Sequence, residues 1–215
     1  MPLRPSTRTL GDVKKAVRRI FGDESSIQID DTDLKTWANE AQTQIVERNH
    51  NIKAVATAPS VKGQAEYTFP DPQISQVEAI LYDGVRVPNV EINVALSSIL
   101  GTDPDQEDEG VPTAWYEWAG KFVLYPKPGD DDKEIKLYFT KYPSELTTDN
   151  QLLSVPNKYF QAVVDYCLWH AFELDEDWAA ASVKENHYRV ALEEQAEEER
   201  EAEHLTYPVI QEMGW

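Results

Sequence analysis

The apolar residues of this chain change their period twice along its length. They recur every three to four positions up to residue 49, alternate through the middle, and return to helical spacing beyond residue 155. Spacing near 3.6 lines one face of a helix and spacing of two lines one face of a strand. Helices are therefore expected at both ends, with strands between them.

The helical ends can be read in detail. Thr9-Leu10-Gly11-Asp12 has the form of a capping box with Asp in place of the usual Glu. Behind it Leu10, Val13, Val17, Ile20 and Phe21 form one stripe, with Lys14, Lys15, Arg18 and Arg19 off it, and Gly22 ends the helix. Acids from Asp30 to Asp33 suit the first turn of a second helix, striped by Leu34, Trp37, Ala41 and Ile45 and running to about Asn49. A third helix starts near Pro156, with Tyr159/Phe160, Val163, Tyr166/Cys167, His170 and Leu174 on its apolar side. A fourth begins near Asp177-Trp178 and carries Trp178, Ala181, Tyr188 and Leu192. Past Leu192 the stripe fades into Glu-rich sequence, which predicts a helix projecting beyond the body.

In the middle, Ala65 to Phe69 and Ile74 to Tyr82 read as strands, and Asp83-Gly84 is a hairpin signal before Val85-Arg86-Val87. A short helix from Val90 to Leu100 and an acidic loop are expected next. Thr113 to Trp118 and Phe122 to Tyr125 form two more strands. Ile135, Leu137 and Phe139 then alternate with Lys136, Tyr138 and Thr140, the pattern of a half-buried antiparallel strand. The expected architecture is α+β: a four-helix bundle-like helical domain with an inserted antiparallel β module and an extended C-terminal arm. Its boundaries fall at 1–62 for the first helical pair, 63–150 for the β module, 151–203 for the second pair and 204–215 for the arm.

Charge narrows the partners. The 215 residues hold 39 acids and 20 bases, a net charge of −19. That balance opposes a general grip on nucleic acid, which needs clustered Lys and Arg, and opposes adsorption to anionic membranes. No apolar run approaches the roughly 20 residues of a membrane span, and the N-terminus lacks the pattern of a signal peptide. The lone cysteine, Cys167, cannot form an intrachain disulfide. These features predict a protein made in a cytoplasm and kept there or carried out in a particle. The first segment is basic (Arg4, Arg8, Lys14, Lys15, Arg18, Arg19), whereas Asp103 to Glu109 and Glu193 to Glu203 are acidic. Copies of such a chain can pair head to tail, although solvated helix faces have the same composition.

Few residues suggest chemistry. The nine glycines contain neither GxxxxGK[ST] nor GxGxxG, and HExxH and GxSxG are absent. Cys167 and His170 stand one helical turn apart, but His50, His187 and His204 supply no zinc-ligand spacing, so a core position is expected. Asp103, Asp105 and Glu107 begin a calcium-loop pattern that fails at Asp108, where Gly is needed, and at Ala114, where Glu is needed. Asp130-Asp131-Asp132 reads as an exposed turn, and Trp115, Tyr116 and Trp118 as packing or interface aromatics. No cofactor, metal or catalytic residue is expected.

Several local phrases carry a resemblance. They are the helix Asp33 to Arg48, Ile80-Leu81-Tyr82-Asp83-Gly84, Gly110-Val111-Pro112-Thr113-Ala114-Trp115-Tyr116 and Phe122-Val123-Leu124-Tyr125-Pro126-Lys127-Pro128. Leu137-Tyr138-Phe139-Thr140-Lys141-Tyr142-Pro143 follows, then Val155-Pro156 leading into Tyr159, Ala162 and Tyr166. In this order, across residues 30 to 195, the chain resembles the head-to-tail adaptor (connector) family of tailed bacteriophages. The resemblance implies a non-enzymatic virion protein at the head–tail junction: a dodecameric ring docked under the portal protein, meeting tail proteins, with double-stranded DNA passing through its channel.

Two sets of contact residues are expected on that reading. Lys14, Lys15, Arg18 and Arg19 would meet Glu197 and Glu198 of a neighbouring subunit. Tyr207, Pro208, Val209, Ile210 and Trp215 would form an arm that orders on the portal. The alternatives are an acidic DNA-mimic inhibitor, another tail-completion structural protein, or an enzyme acting on cell-wall glycan.

Overall fold

The structure, a computed structural model, describes residues 6–49, 52–91 and 109–206. The chain divides into two compact units, one of residues 1–52 and 142–215 and the other of residues 53–141.

The first unit is helical: α1 (Leu10–Phe21), α2 (Asp31–Asn49), α3 (Phe160–Leu174, entered by a 3-10 turn at Asn157–Tyr159) and α4 (Trp178–Thr206). The capping box forms: Thr9 Oγ1 accepts from the Asp12 N–H at 3.2 Å, and the Asp12 carboxylate accepts from the Thr9 N–H at 3.1 Å. Gly22, at φ +91°, closes α1 in the left-handed conformation that favours glycine.

Helix α3 organises this unit. Ala162, Val163, Val164, Asp165, Tyr166, Cys167 and Leu168 are buried in succession, so every side of the helix is covered. An amphipathic helix buries one stripe; one with no polar side takes neighbours all round. Helices α1, α2 and α4 accordingly pack on α3.

The loop entering α3 is held by α2 side chains. Asn39 Nδ2 donates to the Leu146 carbonyl at 3.1 Å while its Oδ1 accepts the Leu146 N–H at 2.7 Å, and Gln42 Oε1 accepts the Ser154 N–H at 2.6 Å. Leu146 is fully buried. Asn39→Ala would leave both Leu146 backbone groups without partners, at a cost of about 2 kcal/mol. The urea midpoint should fall accordingly, with the m-value unchanged.

The second unit is built of strands: β1 (Lys53–Pro59), β2 (Glu66–Thr68), β3 (Ile74–Tyr82), β4 (Val85–Val87), β5 (Glu109–Gly110), β6 (Ala114–Trp118), β7 (Lys121–Tyr125), β8 (Lys127–Pro128) and β9 (Glu134–Lys141). They form three sheets, ordered β1-β9-β3-β4, β2-β7-β6 and β5-β8. The first two are antiparallel; the short third is parallel. Tyr67, Phe122 and Leu124 from the second sheet join Ile80, Leu137 and Phe139 from the first in one apolar cluster.

These findings correct the expected fold class. A four-helix bundle-like frame with one antiparallel β module is not the architecture. The helices gather around α3, buried without a break from Ala162 to Leu168, and the strands divide into three sheets, one of them parallel. The periodicity of single elements was readable, but the way they group depends on contacts distant in sequence. Lys53–Pro59, for which the sequence offered no strand, pairs along its length with β9. Helix α4 runs to Thr206, so residues 204–206 are helical rather than part of an extended arm. The helix expected from Val90 to Leu100 lies largely outside the described residues.

Candidate functional site

For a chain expected to work by assembly, the candidate site is exposed surface, beginning with the basic face of α1. The structure divides that face in two. Arg18, only 8% exposed, donates from Nη1 to Asp23 Oδ2 at 2.8 Å and from Nη2 to Asp31 Oδ1 at 2.7 Å and to the Ile29 carbonyl at 3.0 Å. Lys14 bridges Asp31 at 3.1 Å and Asp149 at 2.7 Å. Both cations are thus engaged inside their own chain. Lys15 and Arg19 are exposed and form no ion pair among the described residues. Ile20, expected on the buried stripe, is 45% exposed beside them.

The Asp23 carboxylate is shaped by opposing effects. Burial tends to raise its pKa, but the Ile27 and Ile29 N–H groups donate to it at 2.8 and 3.0 Å and Arg18 lies alongside. These outweigh burial and hold it below its ordinary value of 3.8. Hydrogen bonds from Arg18 and Lys14 likewise lower Asp31. A carboxylate with a lowered folded-state pKa contributes stability above the unfolded value, and that contribution is lost as pH falls through the folded value. Wild-type stability should therefore drop below about pH 4, and Asp23→Asn should flatten that part of the curve. Urea titrations between about pH 5 and pH 2 would check this.

Helix α4 presents the second surface. Ala181, Tyr188 and Leu192 face the core. Successive helical residues turn by about 100°, which puts Ala179, Val183, Val190, Glu194 and Glu197 on the opposite, exposed side. Val183 and Val190 are among the exposed large apolar side chains of the chain. Trp178, expected in the buried stripe, is 66% exposed at the first turn of α4. Glu197 and Glu198 are exposed further along the same helix.

The residues weighed for chemistry have structural surroundings. Cys167 is fully buried, and burial pushes its thiol pKa well up, away from the nucleophilic thiolate. His170 Nδ1 lies 3.0 Å from Glu173 Oε2, and its ring stacks on Trp37 and Trp169. Trp115 is buried in the core of the strand unit, whereas Trp118 is 59% exposed at the β6–β7 turn. Asp130, Asp131 and Asp132 are exposed, and Asp131 accepts the Lys62 N–H at 2.8 Å. Among the described residues no helix is long and apolar enough to cross a membrane, and no cluster of His, Cys, Asp and Glu could hold a metal ion. Asp103, Asp105 and Glu107, and the expected portal-binding residues Tyr207, Pro208, Val209, Ile210 and Trp215, lie outside the described residues.

The sequence stripes missed Asn39 and Gln42, the buried role of Arg18, and the outward valines of α4. A helical wheel could have marked Val183 and Val190, which lie opposite Ala181, Tyr188 and Leu192. Nothing local signals the partners of Asn39 and Arg18.

What remains is a chain whose exposed features suit protein contacts. A family model described as SU10 adaptor protein matches residues 8–211, nearly the whole chain. The chain belongs to the SU10 adaptor protein family. This is a phage head–tail adaptor family, in agreement with the resemblance carried by the sequence. No curated protein matches the adaptor. Family membership makes it a phage structural component and gives its surfaces an assembly role to be explained.

Proposed function

We propose that this adaptor is a structural virion protein that forms a ring between the portal protein and the tail, with a channel for DNA during packaging closure and ejection. The observation that carries the reading is the family match across residues 8–211. A structural adaptor family favours assembly over acidic mimicry of DNA or hydrolysis of glycan.

In this reading twelve subunits pack side by side, the number following from the resemblance to connector proteins. The lateral contacts use the exposed charges of α1 and α4, Lys15 and Arg19 against Glu197 and Glu198. Such pairs set register more than they add affinity. Tyr207, Pro208, Val209, Ile210 and Trp215 bury aromatic and aliphatic surface against the portal. Repetition around a ring turns weak single arms into firm attachment through effective concentration.

The net charge of −19 suits a channel that DNA must cross without sticking, because carboxylates repel phosphates over about 8–10 Å at moderate salt. The test is co-sedimentation of the purified adaptor with the portal of the same phage. The adaptor should travel with the portal and not with duplex DNA. Sedimentation with DNA alone would refute the proposal.

A further inference from the structure

The exposed face of α1 and the outward face of α4 complement each other in both charge and apolar surface. Lys14, Arg18, Arg48, Lys184 and Arg189 of the helical unit each hold a carboxylate of the same chain. Lys15 and Arg19 hold none among the described residues, although the chain carries 39 acids to 20 bases. Beside them Ile20 is 45% exposed. On α4, Val190 is 41% exposed, Val183 is 52% exposed, and Glu194 and Glu197 continue the same face with no cation of the chain paired to them among the described residues.

The order along each helix matters. Reading α1 backwards gives an apolar residue, Ile20, then cations at Arg19 and, one turn on, Lys15. Reading α4 forwards gives an apolar residue, Val190, then acids at Glu194 and Glu197. At 1.5 Å per residue, Arg19 to Lys15 spans about 6 Å of helix axis and Glu194 to Glu197 about 4.5 Å, so antiparallel helices bring the charges into register and leave Ile20 about 4.5 Å along the axis from Val190, within side-chain reach.

We propose that α1 of one copy seats antiparallel on the outward face of α4 of a second copy, with Ile20 against Val190, Arg19 against Glu194, and Lys15 against Glu197. The contact rests on the ring reading and supplies its lateral interface. It joins two different surfaces, so each copy offers a free α1 on one side and a free α4 face on the other. Contacts of that kind propagate and close into a ring when the rotation per step allows. Val190 and Ile20 provide the apolar part of the contact, and the charges exclude other registers.

The test uses adaptor carrying Arg19→Cys mixed with adaptor carrying Glu194→Cys, the pair set opposite each other, assembled on portal and then oxidised. The one native cysteine, Cys167, is buried and does not compete. Mixed disulfide dimers should dominate, and neither variant should cross-link alone. In parallel, the double reversal Lys15→Glu/Arg19→Glu should weaken subunit association about tenfold or more. Adding Glu194→Lys/Glu197→Lys to the same chain should restore it. Adaptor that sediments with portal yet gives no mixed dimers, or a four-fold variant that does not recover, overturns this contact while leaving the ring reading intact. Adaptor that fails to sediment with portal overturns both.

Discussion

Arg18→Ala is expected to destabilise the adaptor by about 3 kcal/mol, because it strands a buried carboxylate. The guanidinium is the meeting point of α1, the loop after it and the start of α2: it binds Asp23 at 2.8 Å, Asp31 at 2.7 Å and the Ile29 carbonyl at 3.0 Å. Asp31 is largely exposed and can turn to water, but Asp23 is 2% exposed and cannot. Its backbone hydrogen bonds from Ile27 and Ile29 would remain while its counter-charge vanished. Arg18→Lys should recover only part of the loss, since an ammonium cannot span the same three acceptors with the planar fork of a guanidinium. Arg19→Ala, one residue further on, should leave stability within about 0.5 kcal/mol of wild type. Urea unfolding of the three variants would separate these outcomes. Equal losses for Arg18→Ala and Arg19→Ala would remove the ion network from the account.

The second large effect concerns attachment rather than stability. Deleting residues 207–215 should leave the unfolding midpoint unchanged, because the proposed function gives them a partner on the portal and no part in the fold. Portal attachment should nevertheless be lost, the bound fraction in co-sedimentation falling about tenfold or more. The steepness follows from repetition: each arm is weak alone, and a ring joins all of them to one target. Attachment unchanged by the deletion would remove the arm from the proposed function and place portal recognition elsewhere on the adaptor.

How much of this was legible in the sequence depended on how local each signal was. The capping box at Thr9–Asp12 and the strand from Ile74 to Tyr82 with its Asp83-Gly84 turn form where their residues imply, because each is specified by neighbours within a few positions. Strand β1 left no such trace. Its inward side chains are Ala54, Ala56 and Ala58, and it is held by the bulkier Ile135, Leu137 and Phe139 opposite them on β9. Arg18 looked like a solvent-facing cation, since its partners come from a loop and a second helix that a wheel drawn for α1 cannot display. Trp178 misled in the other direction: a large aromatic beside an apolar stripe reads as core, yet it sits to one side of the buried face.

The grouping of elements was the least legible part. Each helix shows its own stripe, but only the continuous burial along α3 reveals that it is the helix the others surround. The candidate surfaces followed the same rule. Exposed charge was visible as composition, whereas the separation of engaged Lys14 and Arg18 from Lys15 and Arg19, which form no ion pair among the described residues, required the fold. The family itself was recognisable because the resemblance rests on phrases spread across residues 30 to 195 rather than on one motif.

Electron microscopy of the adaptor mixed with its own portal tests the central claim most directly. The account predicts an added, rotationally symmetric layer coaxial with the portal, on its tail-facing side, with an open centre wide enough for duplex DNA. Portal particles that stay bare at saturating adaptor, or that carry it as isolated copies off the axis, would contradict it.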